Sequence, residues 1–281
     1  MAQSLALEPL GDGVWAWIQP GGESGVSNAG VVADEDGLTV VDCLMVRSQW
    51  EPFAAAVASL GAGNVRRLVL THAHVDHVGG SKAFPAASVI ATPVTSALLE
   101  QPLMVDAYKA FMPAFAAEFD ELSELGTRAV THEVETGAPL TARIELLPAA
   151  GHTAGDLMVL VDDAEVLFAG DLCFFGVTPL AFQGDPAAWA AVLSTLGDLA
   201  DHIVPGHGPV GGSGEVEELA AYLNACVAAK GDPEAIPPGP WDRWEERAQR
   251  DAINVERAAM LAEGESLSSM PPSMLRAIGM G

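Results

Sequence analysis

The sequence has few basic side chains. Lys and Arg together number 13 against 38 Asp and Glu, so the formal net charge is −25 at pH 7. Such a chain repels phosphate backbones and anionic lipid surfaces, because binding to them depends on Lys and Arg neutralising the anionic groups. We therefore expect no nucleic-acid partner and no membrane partner. The acidity favours solubility, and it is equally compatible with a lineage-wide compositional habit or with attraction of a cationic substrate.

Cysteine is also scarce, and no apolar run is long enough to span a bilayer. Cys43, Cys173 and Cys226 include no C-x-x-C pair, which disfavours a disulfide framework and a structural zinc knot. The first residues, MAQSLALEPLGDGVW, contain no basic stretch followed by a sustained apolar one, so they do not resemble a secretory signal. Unless a leader was removed, these absences predict a cytoplasmic protein in a reducing compartment.

Short apolar strands alternate along the chain with amphipathic or alanine-rich helices. The 281 residues are 49% hydrophobic and can bury a large core, and the alternation indicates an α/β or α+β domain. Without a repeat or a low-complexity linker, we expect a single domain over residues 1–281. We also expect a helical insertion at about 103–124 and a helical C-terminal appendage at about 240–281. The apolar stripe of the insertion would pack on the core, cover a substrate pocket or form a homodimer surface, and the sequence leaves these alternatives open.

The densest cluster of potential metal ligands lies in THAHVDHVGG, directly after an apolar strand. Alternation of side chains along an extended segment places His72 and His74 on one side. Asp76 and His77 follow in a turn and can face a second position a few ångströms away. The spacing therefore predicts two adjacent metal sites.

Three further candidates, His152, Asp171 and His207, each follow an apolar strand and have a glycine beside them. Glycine permits the sharp turns that point a ligand inward. If the strands share a direction, all these loops meet at one edge of the sheet. Nitrogen and carboxylate donors at two adjacent positions match the preferences of zinc, iron or manganese.

These motifs resemble those of the metallo-β-lactamase superfamily over roughly Val14 to Val210. The resemblance implies an α+β fold, a four-layer αβ/βα sandwich in which two sheets pack face to face and the metals sit at one edge. It also implies that the ligands form two sets and a bridge: His72, His74 and His152; Asp76, His77 and His207; and Asp171. Asp42 corresponds to a family carboxylate that supports a metal ligand.

Two divalent ions about 3.5 to 4 Å apart can share a water, lower its pKa towards neutrality and polarise a carbonyl oxygen. We therefore expect a dinuclear hydrolase in which a hydroxide shared by the ions attacks an acyl carbon. Zn²⁺ is the first choice of metal, with Fe or Mn as alternatives. Asp76 and Asp171 are the predicted catalytic residues, since the ion at Asp76 would receive the leaving group and Asp171 would join the two ions.

Asp171 also bears on the substrate, because β-lactamases of this superfamily usually have Cys or Ser at that position. An aspartate resembles the branch that contains thioesterases of the glyoxalase II type, lactonases and phosphodiesterases. The lack of a basic cluster weakens the glutathione thioesterase and RNA nuclease interpretations. No tyrosine follows closely, as one does in acyl-homoserine lactonases; Phe174 and Phe175 stand there instead. The expected partner is therefore an apolar small molecule with a lactone, thioester or ester bond.

Several alternatives stay open at this point. The two phenylalanines are as compatible with the core as with a pocket wall, whereas Trp15 and Trp17 favour core packing. The same fold also carries β-lactamase-type amide hydrolysis, phosphodiester hydrolysis and iron-dependent oxidation. A binding module that kept its metals without turnover is the non-enzymatic alternative.

Overall fold

The described residues, 5–281 of this computed structural model, form two β-sheets with helices outside. The predicted single domain also includes residues 1–4, which lie outside the described residues. The seven strands of the first sheet lie side by side in chain order: β1 (Leu7–Gly11), β2 (Val14–Trp17), β3 (Ala29–Asp34), β4 (Gly37–Val41), β5 (Val65–Val69), β6 (Ser88–Ala91) and β7 (His132–Glu133). The five strands of the second do the same: β8 (Ala138–Pro139), β9 (Ile144–Ala149), β10 (Asp156–Val161), β11 (Val166–Phe174) and β12 (His202–His207).

The helices connect and cover these strands. They are α1 (Arg47–Ser59), α2 (Val75–Val78), α3 (Pro93–Leu99), α4 (Val105–Phe111), α5 (Phe119–Leu125), α6 (Pro186–Leu193), α7 (Ser213–Ala228), α8 (Arg247–Ala262) and α9 (Pro272–Ala277). Short 3₁₀ turns occupy Gly79–Ala83, Pro113–Phe115, Asp162–Ala164, Pro233–Ala235 and Pro240–Arg243. No helix of the described residues is both long and apolar enough to cross a membrane.

In the first sheet, most of β3, all of β4 and the end of β5 are buried on both faces, which explains why these segments are mainly apolar. Successive side chains of a strand point to opposite faces. One set packs against Phe53 and Val57 of α1, and the next residue of each strand packs against the second sheet. The pairs are Val31 and Val32, Val40 and Val41, and Leu68 and Val69.

The second sheet repeats this arrangement. Val159 and Phe168 face the first sheet, whereas Leu167 packs with Trp189 of α6 and Leu219 of α7 on the outer face. Helix, sheet, sheet and helix therefore form four layers. The predicted αβ/βα sandwich is confirmed.

The insertion consists of two helices separated at a proline. α4 ends at Phe111, and Pro113 begins a 3₁₀ turn before α5, because proline lacks the backbone donor and clashes with the preceding turn. Met112 and Phe119 pack with Met45 and neighbouring residues of the sandwich. α8 begins at Arg247 and packs against α7, and α9 packs against α8.

The strand directions bring the functional segments to one end of the sandwich. β4 and β5 are parallel, so the segments that follow them leave the sheet at the same edge. β11 and β12 are also parallel, and the turn between β9 and β10 lies at the same end of the second sheet.

Candidate metal centre

All seven predicted ligands lie together at this end of the sandwich. They come from the segment after β5, α2, the β9–β10 turn, β11 and the last residue of β12. Within the described residues they form two groups, in each of which the potential ligand atoms lie within 4.8 Å of one another: His72, His74, His152 and Asp171; and Asp76, His77 and His207.

The Asp171 carboxylate lies between the two groups. Its Oδ2 is 3.3 Å from His152 Nε2 and 3.7 Å from His72 Nε2. Its Oδ1 is 3.0 Å from His77 Nε2 and 3.5 Å from His207 Nε2. Each oxygen therefore faces one group of histidines, as the predicted bridging position requires.

Several nitrogen and oxygen atoms that face the centre have no hydrogen-bond partner in the described part of the chain and suit a metal ion as their partner. His72 Nε2, His77 Nε2 and Asp171 Oδ1 are buried and make no hydrogen bond of good geometry among the described residues. A buried polar atom without a partner is costly, so such a cluster calls for a ligand. Imidazole nitrogens with carboxylate oxygens are a donor set that zinc, iron and manganese accept.

Asp42 fixes two of the histidine-bearing segments. Its Oδ2 lies 2.7 Å from His77 Nδ1 and accepts a hydrogen bond from Thr71 Oγ1, and its Oδ1 accepts from the Thr71 backbone N–H. Thr71 Oγ1 is in turn 3.1 Å from His72 Nδ1. With acceptors at both Nδ1 atoms, Nε2 of each ring keeps a lone pair facing the centre.

Two further histidines are oriented in the same way. His74 Nε2 lies 2.8 Å from Gln183 Oε1, which leaves Nδ1 facing the centre, 2.9 Å from His152 Nε2. His207 Nδ1 is within 3.1 Å of the backbone carbonyls of Gly22 and Val26. The outer acceptors therefore select the ring tautomers that a metal needs.

Asp156 shapes the turn that carries His152. It accepts hydrogen bonds from the backbone N–H groups of Gly151 and Thr153 and from Thr153 Oγ1. Burial raises the pKa of Asp156 to about 7, although these hydrogen bonds oppose the shift. Asp156 therefore supports a predicted ligand by capping the turn that carries it.

The two groups differ in their affinity for protons. Burial lowers the pKa of His72 and lowers that of His152 to about 3, so both imidazoles are neutral. Burial also opposes protonation of His207, but the carboxylates of Asp171 and Asp76 raise its pKa to about 9. In the metal-free protein, an ion binding at His207 must therefore displace a proton.

Gly206 is required by the close approach of two ligand segments. A Cβ atom at this position would lie well inside van der Waals contact with Asp171 Oδ1. Gly170 adopts a φ of +52° and packs against Thr71. These contacts explain why glycine accompanies Asp171 and His207.

A cavity of about 230 Å³ adjoins the ligands. Phe174 lines it and stacks on His207 with ring centroids 5.0 Å apart. Phe182 lines it as well and stacks on His74 at 5.1 Å. Phe174 and Phe175 both belong to the same buried core cluster. Of the two, Phe174 alone also lines the cavity.

Other candidates lie elsewhere. Trp15 and Trp17 pack in the core between the first sheet and α1, as favoured from the sequence. Cys173 is buried beside the centre, where burial raises the pKa of its thiol. His132 and His202 are exposed on β7 and at the start of β12.

Sequence reasoning missed Gln183 and the residues of the last 20 positions that line the cavity. Those positions contain Met270, Met274 and Ile278, all of which face the cavity. The only signal in the sequence was the methionine-rich composition of SLSSMPPSMLRAIGMG, because methionine is common at adaptable binding surfaces.

Comparison with known proteins gives one family match. The model of the metallo-beta-lactamase superfamily matches residues 22–220. This range includes all seven predicted ligands, Asp42 and both sheets except β1 and β2.

Two curated relatives match about half of the chain. A "Hydroxyacylglutathione hydrolase" of Shewanella denitrificans is 27% identical over 140 residues, which cover 48% of this chain and 44% of the relative. A "Beta-lactamase-like protein 2 homolog" of Caenorhabditis elegans is 28% identical over 151 residues, which cover 52% of this chain and 43% of the relative. The chain therefore covers less than half the length of either relative.

Solved structures share the fold. The metallo-beta-lactamase FIM-1 from Pseudomonas aeruginosa, in a mono-zinc form, aligns with a TM-score of 0.60 and 19% identity, covering 83% of this chain and 97% of that one. A metallo-beta-lactamase from Hirschia baltica aligns with a TM-score of 0.60 and 19% identity, covering 79% and 98%. At this identity the likeness concerns the fold alone.

Proposed function

The chain belongs to the metallo-beta-lactamase superfamily, whose members are mostly metal-dependent hydrolases, and on that premise we propose that it is a dinuclear hydrolase. Its substrate is an apolar small molecule, and the bond that it hydrolyses is the acyl bond of a lactone, thioester or ester. The position of Asp171 carries this proposal. Each oxygen of one buried carboxylate faces a separate group of histidine nitrogens, which is the arrangement of a bridging ligand.

His72, His74 and His152 would hold one ion, Asp76, His77 and His207 the other, and Asp171 both. Zn²⁺ is the first choice, and iron or manganese suits the same donors. When bound, two such ions lower the pKa of a shared water and polarise the carbonyl of a substrate.

The residues of the chain contribute orientation and exclusion of water. Asp42 and Gln183 hold the outer nitrogens of His77 and His74, so the ligands are in position before the substrate binds. Phe174 and Phe182 cover the faces of His207 and His74 and keep water from them. A substrate whose apolar part occupies the cavity has its acyl carbon at the ligand end.

The charges around the cavity favour an apolar acyl substrate over glutathione or phosphodiester substrates. Arg250 is the only Lys or Arg among its described lining residues. Its guanidinium pairs with Glu246 and donates to the Thr178 carbonyl and to Ser24 Oγ. With this cation already paired, the cavity offers no free basic residue for the carboxylates of glutathione or for phosphate.

The test combines metal content and turnover. Elemental analysis of protein purified without added metal should give about two ions per chain. Lactones, thioesters and aryl esters should be hydrolysed in a chelator-sensitive manner, faster than a phosphodiester or a β-lactam. Iron with oxygen consumption would instead place the protein among the oxidoreductases, and a metal-free, inert protein would overturn the site assignment.

Single substitutions test whether turnover depends on the predicted metal ligands rather than on the stability of the fold. Asp171→Ala and His74→Ala should lose turnover while remaining folded, because both remove a ligand. His132→Ala is the matched control, since this histidine is exposed on β7. Full activity in either ligand variant after metal depletion would contradict the proposal.

A further inference from the structure

The last segment of the chain, residues 263–281, forms part of the cavity wall; we call it the C-terminal arm. Met270, Met274 and Ile278 line the cavity. Met274 and Ile278 are buried and pack with Phe111 of α4 and with Ile253 of α8. Two segments that are distant in sequence, the insertion and the arm, therefore enclose the cavity together.

Arg257 of α8 holds the arm in place. Its buried guanidinium donates from Nη1 to the Ser269 carbonyl and from Nη2 to the Leu267 carbonyl, each at 2.7 Å. Its Nε donates to the Gly184 carbonyl, also at 2.7 Å. Gly184 follows Gln183, the partner of His74. The arm is thus fixed to the loop that orients a ligand, and its wall is formed before a substrate binds.

The wall is apolar and deformable. Four methionines face the cavity among the described residues: Met104, Met112, Met270 and Met274. Methionine has a flexible, polarisable side chain that fills irregular space. At the rim, Leu98 is 42% exposed and Met104 is 50% exposed, so an apolar group meets apolar side chains from solvent to the interior. The polar residues of the lining are the candidate ligands, Gln183, Arg250 beside Phe174, Ser24, Gln101 and Tyr108.

The volume limits the size of the occupant. An apolar cavity of about 150 Å³ holds benzene, with its six carbons. At the same occupancy the volume of about 230 Å³ holds roughly nine non-hydrogen atoms. A flexible chain uses such space better than a rigid bulky group, because the methionines adjust around it.

We propose that the cavity receives the straight aliphatic chain of an acyl ester or thioester of about six to ten carbons, and that Met274 and Ile278 of the arm set the upper length. This inference rests on the proposed acyl hydrolase. The chain lies among the methionines, and its carbonyl lies at the ligand end beside His74.

Substitutions of Met274 test the limit on the length of the acyl chain, and a substitution of Met280 is the control. Met274→Trp should raise KM for an octanoyl ester about tenfold or more and leave a butanoyl ester nearly unchanged, because only the longer chain reaches the arm. Met274→Ala should move the preferred length upwards. Met280→Trp is the matched control, since Met280 is 61% exposed in the same arm. Circular dichroism and thermal unfolding establish that each variant is folded.

Binding of octan-1-ol and butan-1-ol to the metal-loaded protein gives a readout that needs no turnover. Octanol should bind more tightly than butanol, and Met274→Trp should abolish the difference. If esters are hydrolysed but all folded variants keep one length profile, the inference is overturned and the proposed function stands. If no ester is hydrolysed while octanol binding still depends on Met274, the proposed function fails and the wall assignment is supported.

Discussion

Replacement of Asp42 by asparagine removes one charge and one acceptor without changing the shape of the side chain. The carboxylate accepts from the Thr71 N–H at 2.8 Å and from Thr71 Oγ1 at 2.7 Å, and its Oδ2 also lies 2.7 Å from His77 Nδ1. An amide supplies only one oxygen, so its NH₂ group must face either the Thr71 N–H or His77. If it faces His77, the proton of that ring moves to Nε2, where a metal needs a lone pair.

The expected decrease in metal affinity follows from the loss of the acceptor at His77 Nδ1. Changing a group that orients a metal ligand typically lowers metal affinity about 10- to 100-fold, which is about 1.4 to 2.8 kcal/mol. Competition with a chromogenic chelator measures the affinity directly. The more weakly bound ion of Asp42→Asn should be removed at a lower chelator concentration than in the wild-type protein. Turnover should fall as this ion is lost.

Asp36→Asn is a suitable control, because Asp36 is an exposed carboxylate in the turn between β3 and β4 and is paired with Arg67. It should leave the metal affinity unchanged. Two ions bound by Asp42→Asn with wild-type affinity would refute the argument that Asp42 sets the His77 tautomer.

Three further changes have defined outcomes. Gly206→Ala should abolish binding of at least one ion, since the new methyl group meets Asp171, whereas Gly214→Ala, at an open position of α7, should bind both ions when metal content is measured. Glu246→Gln leaves the buried guanidinium of Arg250 without its carboxylate and should lower the free energy of unfolding by about 1 to 3 kcal/mol in urea. In the metal-free protein, the pKa of His207 is raised from 6.5 to about 9; the resulting stabilisation is complete below pH 6.5 and lost as the pH rises through 9. Its melting temperature should therefore fall across that interval, and a melting temperature that stays constant would contradict the ion-pair argument.

The layers and the ligand cluster could be predicted because both depend on local pattern. A strand that is apolar at almost every position, such as Gly37–Val41 with Thr39 as its one polar residue, is expected to be buried on both faces. His72, His74 and His152 lie just beyond strands, and Asp171 and His207 lie in the last half of β11 and at the end of β12, so their meeting at one edge follows from topology. Short strands such as β7 and β8 gave no pattern, because two-residue strands depend on their neighbours.

Within the helical appendage expected at about 240–281, the long helix α8 begins only at Arg247. Asp242 accepts a hydrogen bond from the Gly239 N–H and caps the start of a separate 3₁₀ turn, Pro240–Arg243. The position of the C-terminal arm could not be predicted from the sequence. Its position depends on hydrogen bonds from the Arg257 guanidinium to backbone carbonyls of the arm. A sequence pattern does not show which carbonyls accept hydrogen bonds from a given arginine.

The arm lies outside the range that carries the ligands. All seven predicted ligands fall between residues 72 and 207, within the family match that ends at residue 220, whereas Met270, Met274 and Ile278 belong to the last helix and the residues that flank it. On the proposed function, one part of the wall that contacts the substrate is therefore encoded apart from the metal-binding stretch, whereas the insertion, Phe174 and Phe182 lie within that stretch. Exchange of the terminal segment would then alter which molecules are accepted while every metal-binding codon stays the same, and the arm is a natural target of about twenty residues for directed evolution.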